Sequence, residues 1–446
     1  MNQTSSTANF TQHQRAKIAI IGAGCLPCIN LMKGFVDKAE ELAGCHIALM
    51  DVDADRLELT YTIGLKLLQH AGVNLTLEHT TLQEEALEDA DFVLVTFRTG
   101  GLQARHLDET IPLRYNLIGQ DTIGPGGFFY ALRTTPVVAG IAAEMEKVAP
   151  KAFLLNFMNP GSIVNEAIAH SSGIRVIGLN NHPTHPIQTF AHLAGMIASP
   201  EQLLYPRTVG LSQGDWTTAV WREGSDILPR IVAWCQEYIN TQPTMTSSNY
   251  EQIMLATLTA HYNAIPSPYM HYYYFPEQVL QFQQQRPTSP AEDLMAQVPQ
   301  LMALYKIEAQ KDVPSLTKSE ACGVLDILSA ILNDTGDEIV LSTQNKGAIN
   351  FLEDDRVVEV PCMVDGRGAT PLTQGDGGLA INQTGLISLI AEYTGATARA
   401  ALWGTRRDAI KALVANPLVM SYSRAEKVYD ELAAAHAPYL PERLLK

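Results

Sequence analysis

The chain has 446 residues, 46% apolar and 17% charged, enough for two ordinary globular domains or one large domain with insertions. Its net charge of −16 argues against nucleic acid, which needs clustered Lys and Arg, and against an anionic membrane surface. Six cysteines in this length make no disulfide framework and suit a reducing compartment.

Residues 1–16 are polar, with no apolar h-region, and are expected to form a disordered lead-in rather than a secretory signal. No apolar run is long enough to cross a membrane, so a cytoplasmic protein is expected. Residues 17–24, KIAIIGAG, are predicted to form a strand that runs into Gly22-Ala-Gly24. A helix over 30–42 follows, then a strand over His46–Met50 that ends on Asp51. Such a strand, glycine loop, helix, strand and acidic residue places a pyrophosphate on a helix amino terminus and a carboxylate near a ribose. Pro27 occupies the place of the third glycine in this fingerprint. Gly22, Gly24, Cys25 and Asp51 are the candidate dinucleotide-binding residues, and an acidic Asp51 favours NAD over NADP. A loop in which the glycines only tighten a turn is the plainer alternative. Cys25 and Cys28 form a C-x-x-C that could be a redox pair or half a zinc site. No second pair completes a zinc tetrad, so both are read as small loop and helix residues.

Asp91–Thr96 is short, apolar and β-rich, as a buried parallel strand should be. It leads into FRTGGLQARHLDETIPLRYNLIGQDTIGPGGFFYALR, which gathers Arg98, Gln103, Arg105, Glu109 and several glycines just past the strand end. Open α/β sheets bind ligands there, although a charged crossover loop would look similar. Strands are predicted over Phe153–Asn156 and Arg175–Leu179, with a helix over Ile163–His170 between them. The alternation gives a Rossmann-type, doubly wound parallel sheet over 17–190. Residues 191–446 read as a second, mixed and mainly helical α+β domain for substrate binding, catalysis and oligomerisation. Its predicted helices are 228–262, 291–333, 383–401, 405–415 and 423–436. An aromatic segment, Ile265–Phe275, and a β-rich stretch, Glu338–Val364, lie among them.

Five stretches together resemble the NAD-dependent family 4 glycoside hydrolases, particularly their 6-phospho-β-glucosidase branch. They are KIAIIGAG, the long run after Thr96, NFMNPGSIVNEA, IPSPYMHYYY and NKGAINFLEDDRVVEVPCMVDGRGATPL. The resemblance implies a lactate/malate dehydrogenase-like architecture and an unusual glycosidase mechanism, outside the paired-carboxylate scheme. In that mechanism NAD⁺ oxidises C3, a tyrosine removes the acidified C2 proton, the aglycone is eliminated, water adds and the hydride returns. A divalent metal, typically Mn²⁺, serves the family as Lewis acid, held by a Cys in G-L-C-N-x-P and a His in G-L-N-H-x-x-W. This chain reads Gly178-Leu-Asn-Asn-His-Pro183 and Gly210-Leu-Ser-Gln-Gly-Asp-Trp216, with Asn180 and Gln213 at the ligand positions. Neutral carboxamides are poor ligands for Mn²⁺, which puts the metal in doubt. The favoured expectation is no metal, with Asn180, Asn181 and Gln213 orienting the C2 and C3 oxygens and Asn181 counted with the catalytic groups. A relocated site on His182, His185 or Asp215 is the alternative, and the two histidines could equally cap and pack a loop.

By the same resemblance Tyr272 is the expected base, with Tyr273 beside it, though a tandem tyrosine run also suits an aromatic core stripe. Arg98, Glu109 and Asn159 are expected to hold the sugar, with Arg98 also near the dinucleotide. Where phospho-specific relatives carry an Arg about twenty residues beyond the tyrosine, spacing offers Glu292, with Arg286 and Lys311 nearby. The expected partner is a small glycoside, phosphorylated or not, with no nucleic acid or membrane, in a homodimer or homotetramer. Two other functions fit the same residues. A plain NAD-dependent sugar or hydroxy-acid oxidoreductase would release a ketone and net NADH. A non-catalytic sugar or nucleotide sensor would explain the lost metal ligands.

Overall fold

Apolar runs of four or five residues build the centre of a sheet in the computed structural model, which describes residues 15–179, 184–199, 202–241, 244–316 and 323–446. The first six strands are β1 (Lys17–Ile21), β2 (His46–Met50), β3 (Thr76–Thr80), β4 (Phe92–Val95), β5 (Phe153–Asn156) and β6 (Arg175–Gly178). They pair in parallel in the order β3-β2-β1-β4-β5-β6, the arrangement of a dinucleotide-binding fold. Strands β2, β4 and β5 are buried along their whole length because helices cover both faces. β3, Thr-Leu-Glu-His-Thr, escapes prediction because it is an edge strand with a mostly polar, exposed pattern.

The sheet does not stop at β6. It continues through β7 (Tyr205–Leu211), β8 (Gly214–Arg222), β9 (Ser225–Asp226), β10 (Ile265–Pro266), β11 (Asp337–Gln344), β12 (Val357–Asp365) and β13 (Gly368–Pro371). The order from β6 outward is β6-β11-β12-β7-β8-β10, all antiparallel. One core cluster spans the junction, joining Ile18, Leu49 and Phe92 to Leu328, Val360 and Val364. The second half is therefore helical around an extension of the first sheet. The β7–β8 hairpin was missed because its turn, Ser212-Gln213, is not a common hairpin pair. Gln213 nevertheless adopts the left-handed conformation there, φ 71°.

Two predicted helices prove shorter than expected. Residues 228–262 form Leu228–Thr241 and Tyr250–Tyr262, and residues 291–333 form Pro290–Gln310 and Val324–Asn333. The helix after the glycine loop runs Leu26–Asp37 rather than 30–42, starting earlier because Pro27 fits a first helical turn.

A buried helix, Gly124–Val148, underlies the charged run after β4. A Cβ on Gly127 would lie 2.1 Å from the carbonyl of Thr122, so only glycine lets the Gln120–Thr122 segment press on the helix backbone. The same helix carries Arg133, whose Nη1 donates to Asp108 at 3.0 Å and whose Nε donates to the Thr99 carbonyl at 2.9 Å. His436 Nε2 lies 2.9 Å from the same Asp108 carboxylate, and all three side chains are fully buried. A paired, hydrogen-bonded charge cluster of this kind fixes geometry more than it adds stability. Here it clamps the loop that carries Arg98.

Candidate functional site

The carboxyl edge of the parallel strands collects the predicted residues. Gly22 follows β1 with φ 97°, and a Cβ there would meet the Thr96 carbonyl oxygen at 2.7 Å. A Cβ on Gly24 would lie 2.9 Å from the Asp51 carboxylate. Asp51 Oδ2 accepts from the Gly24 N–H at 2.8 Å and Oδ1 accepts from the Asp53 N–H at 2.9 Å. The loop is thus drawn flat against the ends of β2 and β4, leaving a cradle that side chains would fill. Such a bare backbone at a helix amino terminus fits a pyrophosphate, and the half-buried Asp51 keeps lone pairs for a ribose. Gly24→Ala should cost about 1–3 kcal/mol by crowding Asp51, and so weaken dinucleotide binding about tenfold or more, as calorimetric titration would show.

Cys25 caps the helix that follows, and its sulfur lies 3.0 Å from that of Cys28. Both thiols are free.

Past β4, Arg98 Nη2 pairs with Asp121 Oδ2 at 2.9 Å, and Arg105 Nε lies 3.3 Å from the same oxygen. Arg98 stacks over the Tyr130 ring at 4.5 Å. Its Nη1 is buried with no partner, a donor left over for a ligand. Glu109, expected to touch sugar, has both carboxylate oxygens engaged within the protein. Its Oε1 accepts from Arg105 at 2.7 Å and its Oε2 accepts from the Ala291 N–H at 2.8 Å, and it is 3% exposed. Burial pushes its carboxyl up, against the pull of Arg105 and the Ala291 N–H. Glu292 does not confront the sugar as a free charge. It closes a capping box with Ser289, accepting that residue's N–H at 2.8 Å.

The aromatic segment separates into individual roles. Tyr273 joins an apolar cluster with Leu211, Trp216 and Met270, and Tyr274 meets Trp216 edge-on at 5.9 Å. That packing is core-like and does not suit Tyr273 as a catalytic group. Tyr272 packs among Ile118, Met254, Val279 and Tyr250. Burial, with Glu251 and Tyr250 behind it, holds its hydroxyl well above the usual range. Tyr269, three positions earlier, hydrogen-bonds Thr122 next to the charges of Asp121, Arg105 and Arg98. Burial and the charge of Asp121 push its hydroxyl up, while the Thr122 hydrogen bond and the weaker charges of Arg105 and Arg98 pull down. Its ring stacks 6.5 Å from that of Tyr272. The Ser-Pro-Tyr start of the run was the only sequence signal that set it apart.

A third group lies at the end of β5 and the β7–β8 turn. Gln213 Oε1 accepts from Ser162 Oγ at 3.2 Å, and its Nε2 donates to Ser212 Oγ at 2.9 Å and faces Asn159 Oδ1 at 3.4 Å. The structure therefore brings Asn159 and Gln213 together. The single oxygen that Gln213 could offer a cation is engaged by Ser162, and no cluster of three His, Cys, Asp or Glu exists among the described residues. Among the described residues, Asn159 and Gln213 thus offer a manganese ion no anionic or imidazole ligand. Asn180, Asn181 and His182 lie outside the described residues, as does the side chain of His185. Asp215, the other relocated candidate, is 1% exposed, with Oδ2 lacking a partner, and burial raises its carboxyl to about 8.

That shift has a stability consequence. The folded chain holds a proton on Asp215 that the unfolded chain, with a value near 3.8, gives up. The contribution is present in full below about pH 4, declines as pH rises toward about 8, and is spent above. Asp215→Asn should flatten the fall in Tm across that window, measured by thermal melts at several pH values.

Residues 17–196 match the model described as family 4 glycosyl hydrolase, and residues 209–419 match the family 4 glycosyl hydrolase C-terminal domain. The chain is 32% identical to a probable 6-phospho-beta-glucosidase of Bacillus subtilis (strain 168), covering 96% of this chain and 97% of the relative. It is 30% identical to the 6-phospho-beta-glucosidase of Escherichia coli (strain K12), again over 96% of this chain and 97% of the relative. Its fold superposes with a TM-score of 0.83 on the 6-phospho-beta glucosidase from Thermotoga maritima solved with manganese, NAD+ and glucose-6-phosphate. That pair is 25% identical and covers 95% of this chain and 99% of the other.

Proposed function

Since this chain belongs to the family 4 glycosyl hydrolases, we propose that it is an NAD⁺-dependent glycosidase that cleaves 6-phospho-β-glucosides. The observation that carries the reading is the glycine cradle and the Arg98–Asp121–Arg105 cluster at one strand edge, with Tyr269 hydrogen-bonded to Thr122 beside them. Gly22, Gly24 and Asp51 would hold the dinucleotide, which when bound supplies reversible hydride acceptance from the sugar and so acidifies the neighbouring C–H.

The chain's own residues do the rest. Arg98 offers its spare Nη1 to the anionic end of the substrate, while Asp121 holds the guanidinium in place. Arg105, steadied by Glu109, adds a second positive charge. Tyr269 takes the C2 proton. A phenol must be helped toward its charged form to act as a base, and the two guanidiniums pull that way against burial and Asp121. Asn159 and Gln213 present amide groups that orient sugar hydroxyls.

The test uses 4-nitrophenyl 6-phospho-β-glucoside, its non-phosphorylated counterpart and NAD⁺, in D₂O, with and without EDTA or Mn²⁺. Release of nitrophenol with deuterium at C2 and no net NADH is the expected result, unchanged by chelation. Net NADH with a ketone product would replace this reading with a simple oxidoreductase.

A further inference from the structure

The Cys25/Cys28 pair is left unused by the chemistry above, and its placement is not that of two filler residues. Cys25 sits at the N-cap of the twelve-residue helix Leu26–Asp37, and its N–H donates to the Gly22 carbonyl at 3.1 Å. The Cys28 N–H donates back to the Cys25 carbonyl at 3.0 Å, closing a tight turn that turns the two side chains toward each other. Their sulfurs stand 3.0 Å apart, about one ångström from the length of a disulfide. Cys25 is half-buried at the mouth of the cradle, whereas Cys28 is fully buried beneath it. One accessible thiol backed by one sequestered thiol on a first helical turn is the layout of an attacking and a resolving cysteine.

We propose that Cys25 and Cys28 are a redox-active dithiol built into the dinucleotide cradle, closed by low-molecular-weight disulfides and protected when the cradle is occupied. The Cys25 thiolate attacks one sulfur of an external disulfide RSSR, forming a mixed disulfide and expelling RS⁻. Cys28 then gives up its proton and attacks Cys25 Sγ, forming the internal bond and expelling the second RS⁻. Two protein thiols are oxidised and one RSSR is reduced to two RSH, so electrons and protons balance. Three features favour Cys25 as the attacking group. They are the amino terminus of the helix, a hydrogen bond available from Cys28, and Thr96 Oγ1 at 3.7 Å, and the Cys28 bond chiefly holds its thiol below the usual range. Cys45, Cys235 and Cys362 are all buried away from the cradle and lack such a neighbour.

The protection clause rests on the cradle's binding NAD⁺, so binding is measured separately by calorimetry. Reduced full-length enzyme is exposed to oxidised glutathione, digested with trypsin, and the peptide 18–33 is weighed. The wild type should lose two hydrogens from this peptide. Cys28→Ser should instead accumulate glutathione on Cys25, and Cys25→Ser should show neither product. NAD⁺ at ten or more times its Kd should slow closure roughly tenfold or more. The proposal is overturned if the wild type holds glutathione at Cys25 as stably as Cys28→Ser. It is equally overturned if Cys45, Cys235 or Cys362 reacts as fast, or if bound NAD⁺ gives no protection. If NAD⁺ fails to bind, the proposed function falls, while the dinucleotide-free arm still decides for or against the dithiol.

Discussion

Tyr269→Phe is expected to lower kcat by about 10²–10⁴-fold, the range for loss of a positioned acid or base. The ring stays, so its stacking with Tyr272 survives and the fold should melt near the wild-type temperature. Only the hydroxyl is removed, and with it the partner of Thr122 and the atom under the influence of Arg98 and Arg105. Deuterium incorporation at C2 should vanish together with turnover. The wild-type hydroxyl is held above the usual phenol range, so its ionised fraction, and with it kcat/KM, should climb as pH rises above neutrality. That rising limb should be missing in the variant. Tyr272→Phe should have a far smaller effect, because burial among apolar groups and the charge of Glu251 hold its hydroxyl well above the usual range. Equal losses in the two variants would remove the distinction drawn between them.

Arg98→Ala should reduce kcat/KM for the phosphorylated glycoside by about 10²–10³-fold, as expected when one partner of a buried charge pair is truncated. Three things disappear at once: the spare Nη1 donor, the stack on Tyr130, and the main counter-charge of Asp121, which is left with Arg105 at 3.3 Å. The loss should appear mainly in KM and should be much smaller for the non-phosphorylated glycoside. A uniform loss on both substrates would mean that Arg98 holds the ring or the loop rather than the phosphate. Arg98→Lys should recover only part of the loss, since an ammonium cannot keep Asp121 and a ligand on separate nitrogens of one planar fork.

The nucleotide half was legible because its signals are local. Strand β2 and strand β5 fall where alternation and apolar runs put them, and the glycines precede a helix as expected. The fold of the second half was less legible because its strands borrow their partners from far away. β11 needs β6, and β7 needs β12, and neither pairing leaves a mark within a short window. At the site, the sequence brings Arg98 to the end of β4 and Asn159 to the end of β5, but not the partners of each side chain. Glu109 reads as a ligand until its two oxygens are seen to be taken by Arg105 and Ala291. Tyr269 and Tyr272 are three positions apart on a short helical turn, and only the neighbours around each decide which one meets positive charge.

The unbroken run of strands from β3 to β10 bears on how the molecule unfolds. Severing the chain near residue 190 would strip the four-residue β6 of its β11 neighbour and leave it as an open edge. It would also open the shared core that packs Leu328 and Val360 with Ile18 and Phe92. Residues 17–190 alone should therefore aggregate, and the intact protein should melt in a single calorimetric transition, with both halves losing structure together.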